Sequence, residues 1–256
     1  MVQLQRIAIA PTQISNRHIN LTAEQQHYLG RVLRLQVGDR FIAIDGLGHW
    51  WRAELVVSLP APSPQAIILE AMVVQTELPV EVRLGVSLPK TGFDDIVRYS
   101  TELGVSQIVP IISQRTVLKP SPQKLERWRR IAREAAEQSE RQIIPSIVDP
   151  ISLATAMEDS HLFSLSTTDQ YICVARGSLP HLLNCMKSSP LDSVTLLTGP
   201  EGGWTTAEVE MAIAAGFLAV SLGKRILRAV TAPIVALSYV TAVLESSPTP
   251  EDHLSV

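Results

Sequence analysis

The sequence predicts an α/β fold, a mainly parallel sheet covered by helices, preceded by a small β-rich module. Three observations carry this expectation. After Thr76-Glu77-Leu78-Pro79 the chain alternates apolar strand-like runs with segments of helical period, the pattern of consecutive βαβ units. Before that point, short runs rich in β-branched and aromatic residues are separated by Gly, Pro and Asp turn signals. Between Leu196 and Ala236, two tight glycine-containing loops each lie between a strand-like run and a helix-like one.

In the N-terminal module, Thr22-x-x-Gln25 forms a capping box that opens a helix over about 23–33. Strands are expected at Arg40–Asp45, Trp50–Leu59 and Ala66–Val74, divided by Gly38-Asp39, Asp45-Gly46-Leu47-Gly48 and Pro60–Pro64. Trp50 and Trp51 are adjacent, so their side chains point to opposite faces of one strand and one of them is expected outside. An exposed indole beside Arg31, Arg34, Arg40 or Arg52 suits stacking on an unpaired nucleobase; packing against a loop would use it equally well. Beyond residue 79 the expected order is strand 80–88, helix 93–103, strand 107–113, helix 122–138, strand 161–166 and helix 179–187. Strand 194–198, helix 206–215, strand 217–222 and helix 232–245 follow, and Ser246–Val256 reads as a mobile tail.

The 256 residues are 46% hydrophobic and 18% charged, enough apolar material for a sizeable core in one large or two ordinary domains. No apolar run approaches the roughly 18 residues of a membrane span, and Met1–Arg6 lacks a secretory layout, so a cytoplasmic protein is expected. Two cysteines, Cys173 and Cys185, are too few for a disulfide scaffold and read as reduced, buried thiols. The net charge of −3 argues against a uniformly basic nucleic-acid binder, but Lys119–Arg141 carries seven basic residues against four acidic ones. That stretch is either a basic stripe or a solvated helix face laced by Glu126–Arg130 and Glu137–Arg141 pairs.

The glycine loops are where a site is expected. Gly199, Gly202 and Gly203 let backbone approach a ligand closely, and Thr205-x-x-Glu208 caps a helix starting near Thr206. Gly223-Lys224-Arg225-Ile226-Leu227-Arg228 forms the second loop, and two βα loops at one sheet edge make a crevice. On the residues alone, the first loop serves as a phosphate or nucleotide cradle or as a tight turn. The specific nucleotide fingerprints are absent: Gly216 to Gly223-Lys224 has the wrong spacing for a P-loop and ends in Arg225, and Gly46-x-Gly48 lacks a third glycine. No G-x-S-x-G elbow occurs, and Cys173, His181 and Cys185 have no metal-ligand spacing, so no metal is expected.

These segments resemble the cofactor site of the SPOUT methyltransferases, and specifically the RsmE family, which methylates N3 of a uridine in small-subunit ribosomal RNA. GPEGG at 199–203 with its T-x-x-E, LGKRILR at 222–228 and Thr231-Ala232 keep that family's order and spacing. Leu88-Pro89-Lys90, Glu102-Leu103-Gly104-Val105, Arg115 and Glu134–Arg141 read as further signatures, so the likeness spans nearly the whole chain. One departure stands out: the family usually has Thr-Glu after the loop arginine, where this chain has Ala229-Val230.

The resemblance implies a PUA-like β-barrel over 1–75 and, over 76–256, a parallel sheet whose last segment is tied into a C-terminal trefoil knot. It implies an S-adenosyl-L-methionine cofactor held by Leu197, Gly199, Pro200, Glu201, Gly202, Gly203, Leu222, Gly223, Ile226, Leu227, Thr231 and Ala232. Arg228 takes the catalytic role, and Lys90, Arg115, Gln138 and Arg141 contact substrate. The implied partners are 16S ribosomal RNA or the small ribosomal subunit and a second copy of the chain in a homodimer, with no membrane and no metal. The general base is unassigned, because Val230 removes the obvious carboxylate. Ribose 2′-O-methylation by a related enzyme, or a catalytically weak ribosome-assembly factor, are the alternatives.

Overall fold

The computed structural model describes residues 4–62, 65–118, 120–159, 162–163, 168–187 and 191–246. Contacts divide the chain into Met1–Glu77 with Arg133–Ile144, and Leu78–Ala132 with Pro145–Val256. The elements begin with β1 (Arg6–Ala8), β2 (Ile14–Ser15), β3 (His18–Ile19), α1 (Ala23–His27), β4 (Arg40–Ile44), β5 (Trp50–Leu55) and β6 (Ala66–Met72). Then come β7 (Glu81–Ser87), α2 (Phe93–Glu102), β8 (Gln107–Ile112), α3 (Pro122–Gln138), β9 (Ser146–Ile147), β10 (Ile151–Ser152) and α4 (Leu153–Glu158). The chain continues through β11 (Thr168–Cys173), α5 (Leu182–Met186), β12 (Ser193–Thr198), α6 (Thr206–Ala214), β13 (Leu218–Val220) and α7 (Thr231–Ser246).

In the first unit a curled six-stranded sheet runs β1-β4-β5-β6-β3-β2, antiparallel except where β1 pairs with β4. Period-2 alternation builds both its faces: Phe41 and Ala43 enter one buried cluster, while Ile42 and Ile44 enter another with Trp50. The tryptophans point to opposite faces, but neither is fully outside: Trp50 is 3% exposed with the Arg6 guanidinium over its ring, and Trp51 is half-buried against the cluster around Phe41 and Ala43, because both faces of the curled sheet are covered. The stacking partner of Trp51 is His49, at 5.7 Å between ring centroids, rather than an arginine. Arg40 and Arg52 are paired with Glu54 and Glu70. The Thr22 capping box forms, but the helix it opens changes to π-helical winding over 28–32, with Leu33 N–H donating to Tyr28 O.

The last turn of α3 and the following residues belong to this first unit. Glu137 Oε1 accepts from Ala8 N at 2.7 Å, Glu140 pairs with Arg6 at 2.7 Å, and Ile144 packs on the cluster around Ile42. The expected Glu137–Arg141 pair is absent because the helix stops at Gln138 and Glu140 adopts a left-handed φ of 63°, which turns Arg141 away. Arg141 instead lies 3% exposed against Glu77, at 2.5 Å, and Glu77 also accepts from Gln142 and Ile143 N–H groups. Three of the arginines in the basic stretch are neutralised, Arg141 by Glu77, Arg127 by Asp94 and Arg129 by Asp149, while Lys119 lies outside the described residues.

The second unit holds an all-parallel sheet ordered β10-β8-β7-β12-β11-β13, with β9 also on β8. All six residues of β12 are buried, as a central strand with helices on both faces requires. Phe93 and Trp128 pack at 4.3 Å where α2 meets α3, and Trp128 Nε1 donates to Asp94. Helix α7 returns across α2, α5 and β12. Register aligns the strand ends, with Val86 opposite Thr198, Thr198 opposite Cys173 and Cys173 opposite Val220, so their following loops emerge at one edge.

The strand expected at 161–166 lies instead at 168–173. Of the earlier stretch only Leu162 and Phe163 are described; they form a turn, and Phe163 is buried edge-on against Phe217. Helix α4 and the short strands β1, β2, β3, β9 and β10 were not expected, since two- to six-residue elements carry too few periods to read. Residues 247–256, expected to be mobile, lie outside the described residues.

Arg141→Leu should lower stability by about 3 kcal/mol in urea denaturation, because Glu77 is left with an unpaired, largely buried charge. Glu137 tests the opposite sign. Burial raises its carboxyl above the usual range, only partly offset by the Ala8 N–H bond, so its stabilising effect is lost as pH rises through the folded-state value. Glu137→Gln keeps an acceptor for Ala8, and its melting temperature should gain on the parent's as pH increases from 4 to 8.

Candidate functional site

The loops that follow β11, β12 and β13 enclose a cavity of about 440 Å³. Cys173–Arg176 form one wall, Gly199–Trp204 the second, and Leu222, Gly223 and Arg225–Leu227 with Ala229 and Ala232 the third; Arg115, after β8, closes a side. The position is the carboxyl edge of the parallel sheet, over its β12-β11-β13 end. Val174, Leu222, Ile226 and Leu227 make much of the wall apolar, with three arginines at its margin.

Side chains lock these loops together. Glu208, 3% exposed, accepts from Thr205 N at 2.8 Å and Thr205 Oγ1 at 2.9 Å through one oxygen, completing the expected capping box. Its other oxygen accepts from Gln114 N at 2.8 Å, joining the start of α6 to the loop after β8. Arg115 on that same loop donates from Nη1 to Gly202 O, and Glu201 Oε1 accepts from Lys90 N at 2.9 Å. The glycine loop is thus fastened to the segments after β7 and β8. Gly223 sits at φ 127°, a left-handed conformation that an L side chain rarely adopts, and a Cβ there would meet only open space.

The residues singled out in the sequence divide as follows. Gly199, Pro200, Glu201, Gly202, Gly203, Leu222, Gly223, Ile226, Leu227 and Ala232 line the cavity, as does Arg115. Leu197 lies within β12 in the buried core, and Thr231 begins α7. Arg228 is exposed just outside the lining; its carbonyl accepts from Thr231 and Ala232 N–H groups, anchoring the first turn of α7. Lys90 is exposed and contributes its backbone N–H. Gln138 and Arg141 belong to the first unit, where Gln138 is exposed and the Arg141 guanidinium is taken up by Glu77, not free for substrate. Sequence reasoning missed Cys173–Arg176, Trp204, Arg225 and Ala229. Burial pushes the Cys173 thiol up to about 12, so it stays protonated at neutral pH and is no nucleophile. Val230 packs on Gly92, whose φ of 85° gives α2 its entry turn; a Cβ on Gly92 would lie 2.8 Å from Val230 Cγ2. Among the described residues no group of three or more His, Cys, Asp or Glu could hold a metal ion.

Residues 76–241 match the RNA methyltransferase domain family, and residues 21–59 match the RNA methyltransferase PUA domain family. A ribosomal RNA small subunit methyltransferase E from Synechocystis sp. is 48% identical over 247 residues, covering 96% of this chain and 80% of that protein. The chain belongs to the ribosomal RNA small subunit methyltransferase E family. A methyltransferase E from Bacillus subtilis is 32% identical, covering 93% of this chain and 92% of that one. Among solved structures, the methyltransferase E of Neisseria gonorrhoeae bound to S-adenosyl methionine superposes with a TM-score of 0.84 at 29% identity, over 96% of this chain and all of that chain (100%). A Legionella pneumophila methyltransferase in complex with the same cofactor gives 0.79 at 27% identity, over 94% and 98%. In this chain the PUA match falls on the curled sheet and the methyltransferase match on the parallel sheet.

Glu208→Gln replaces one acceptor oxygen by a donor, so the Thr205 or the Gln114 N–H loses its partner. We expect a loss of about 1.5–3 kcal/mol in denaturation, and isothermal titration should show S-adenosylmethionine binding weakened about tenfold.

Proposed function

We propose that this chain transfers a methyl group from S-adenosylmethionine to N3 of a uridine in 16S ribosomal RNA of the small subunit. The cavity at the carboxyl edge of β11, β12 and β13 carries the reading. Its volume suits a small organic ligand, its apolar wall suits an adenine ring, and Arg115 and Arg225 suit a carboxylate. When bound, the cofactor supplies an electrophilic sulfonium methyl group. Gly199–Gly203, Gly223 and Arg225–Leu227 hold and orient the reactants, and positioning of that kind contributes about 7–11 kcal/mol to lowering a barrier. Arg228 stabilises the negative charge that the uracil oxygens gain when N3 loses its proton; no side-chain partner occupies its guanidinium among the described residues. The acceptor of that proton is not a side-chain carboxylate at position 230, where this chain has valine.

The same reading includes a trefoil knot formed as the chain passes from β13 through 221–230 into α7, and a homodimer. It also includes action in the cytoplasm; no helix among the described residues is long and apolar enough to cross a membrane. Arg228→Ala should lower kcat by about 10²- to 10³-fold while leaving the Kd for S-adenosylmethionine within a few-fold. The product is read by incubating the enzyme and cofactor with small ribosomal subunits lacking the modification and identifying the methylated nucleoside by mass spectrometry. N3-methyluridine is expected. A 2′-O-methyl nucleoside would place the chain with the ribose methylating enzymes, and binding without turnover would favour an assembly factor.

A further inference from the structure

A second pocket, of about 560 Å³, shares a wall with the cofactor cavity: Ala175, Arg176, Gly223 and Ile226 line both. Its other lining residues include His181 and Lys224, and none is acidic, although the chain as a whole carries a net charge of −3. Arg176 and Lys224 are exposed and have no ion-pair partner among the described residues. Two cations left without carboxylates around one concavity make an anion site.

The floor of this pocket is rigid. Pro180 O accepts from Ser221 N at 2.9 Å and Ser221 O accepts from Leu182 N at 3.0 Å, so the 180–182 segment continues the sheet beyond β13. Ser221 Oγ both accepts from Gly223 N and donates to Gly223 O, each at 3.1 Å, fixing the turn that presents Lys224. His181 is fixed in orientation: its Nδ1 accepts from Leu183 N at 3.2 Å and its ring is wedged against Tyr239, at 5.1 Å between centroids. An imidazole held beside two cations makes a set of groups that matches the negatively charged oxygens of a phosphodiester.

We propose that the pocket framed by Arg176, His181 and Lys224 holds a backbone phosphodiester of the RNA strand next to the nucleotide being methylated. The inference rests on the methyltransferase reading of the adjoining cavity, and it assigns to this edge the task of fixing strand register beside the target base.

Lys224→Gln and His181→Asn test it, since neither residue lines the cofactor cavity and asparagine retains an acceptor for the Leu183 N–H. The substrate is small ribosomal subunits lacking the modification, assayed over a range of salt concentrations. Lys224→Gln should raise KM for subunits about five- to tenfold and flatten the log–log salt dependence by about 0.7, the contribution of one phosphate contact. His181→Asn should raise KM about threefold. Calorimetric Kd for S-adenosylmethionine should stay within twofold for both. Unchanged KM in both variants, or a change confined to the cofactor Kd as binding of the cofactor's own carboxylate would give, overturns the proposal. A parent enzyme without methyl transfer sinks the reading of the adjoining cavity instead. Filter binding of the same subunits to parent and variants then still decides the phosphate site, with equal affinities counting against it.

Discussion

The buried carboxylate of Glu208 is the interaction on which the site depends. One oxygen closes the N-terminus of α6 on Thr205; the other holds Gln114, 94 residues earlier in the chain. A buried charge persists only where hydrogen bonds satisfy it, and here the bonds that satisfy Glu208 also draw two loops together. Arg115 then reaches Gly202 O, and Glu201 holds the backbone beyond β7. The result is a glycine loop whose conformation is set before any ligand arrives.

The parallel sheet explains why so few residues are needed. With all strands running one way and their ends in register, loops distant in sequence emerge at the same edge. Each needs only a short reach to line a common cavity, and one loop, 221–226, forms the partition between that cavity and the cationic pocket beside it. On the proposed reading, cofactor and nucleic acid are gripped from the two sides of a single fixed turn. Apolar walls suit the first task and uncompensated cations the second, so the division of chemistry follows the division of side chains along Leu222–Leu227.

How much of this was legible in the sequence follows from how local each signal is. The Thr205-x-x-Glu208 capping box was readable because both partners lie within one turn, while the Glu208 bond to Gln114 was not, since nothing nearby in the chain marks it. The strand after residue 160 was misplaced because the apolar residues of His161-Leu162-Phe163 signal core packing, whereas β11 opens on Thr168-Asp169-Gln170 and hides its burial until Tyr171. That error concealed Cys173–Arg176, a loop findable only once its strand was placed. The family signature Glu134–Arg141 was visible, but its arginine serves the first unit through Glu77, a partner recognisable only in three dimensions. Trp50 and Trp51 are a mixed case: alternation along the strand sent the two indoles to opposite faces, but both faces are covered, so Trp51 is half-buried against a second cluster rather than outside.

The central claim is that the cradle is fixed by Glu208 in the cofactor-free protein, and amide hydrogen exchange reads it directly. Without S-adenosylmethionine, the Thr205 and Gln114 amides should exchange about as slowly as the amides of β12, and adding cofactor should change them little. Exchange of those two amides at the rate of open loops, with protection appearing only when cofactor is added, would contradict the account and show that the ligand builds the site.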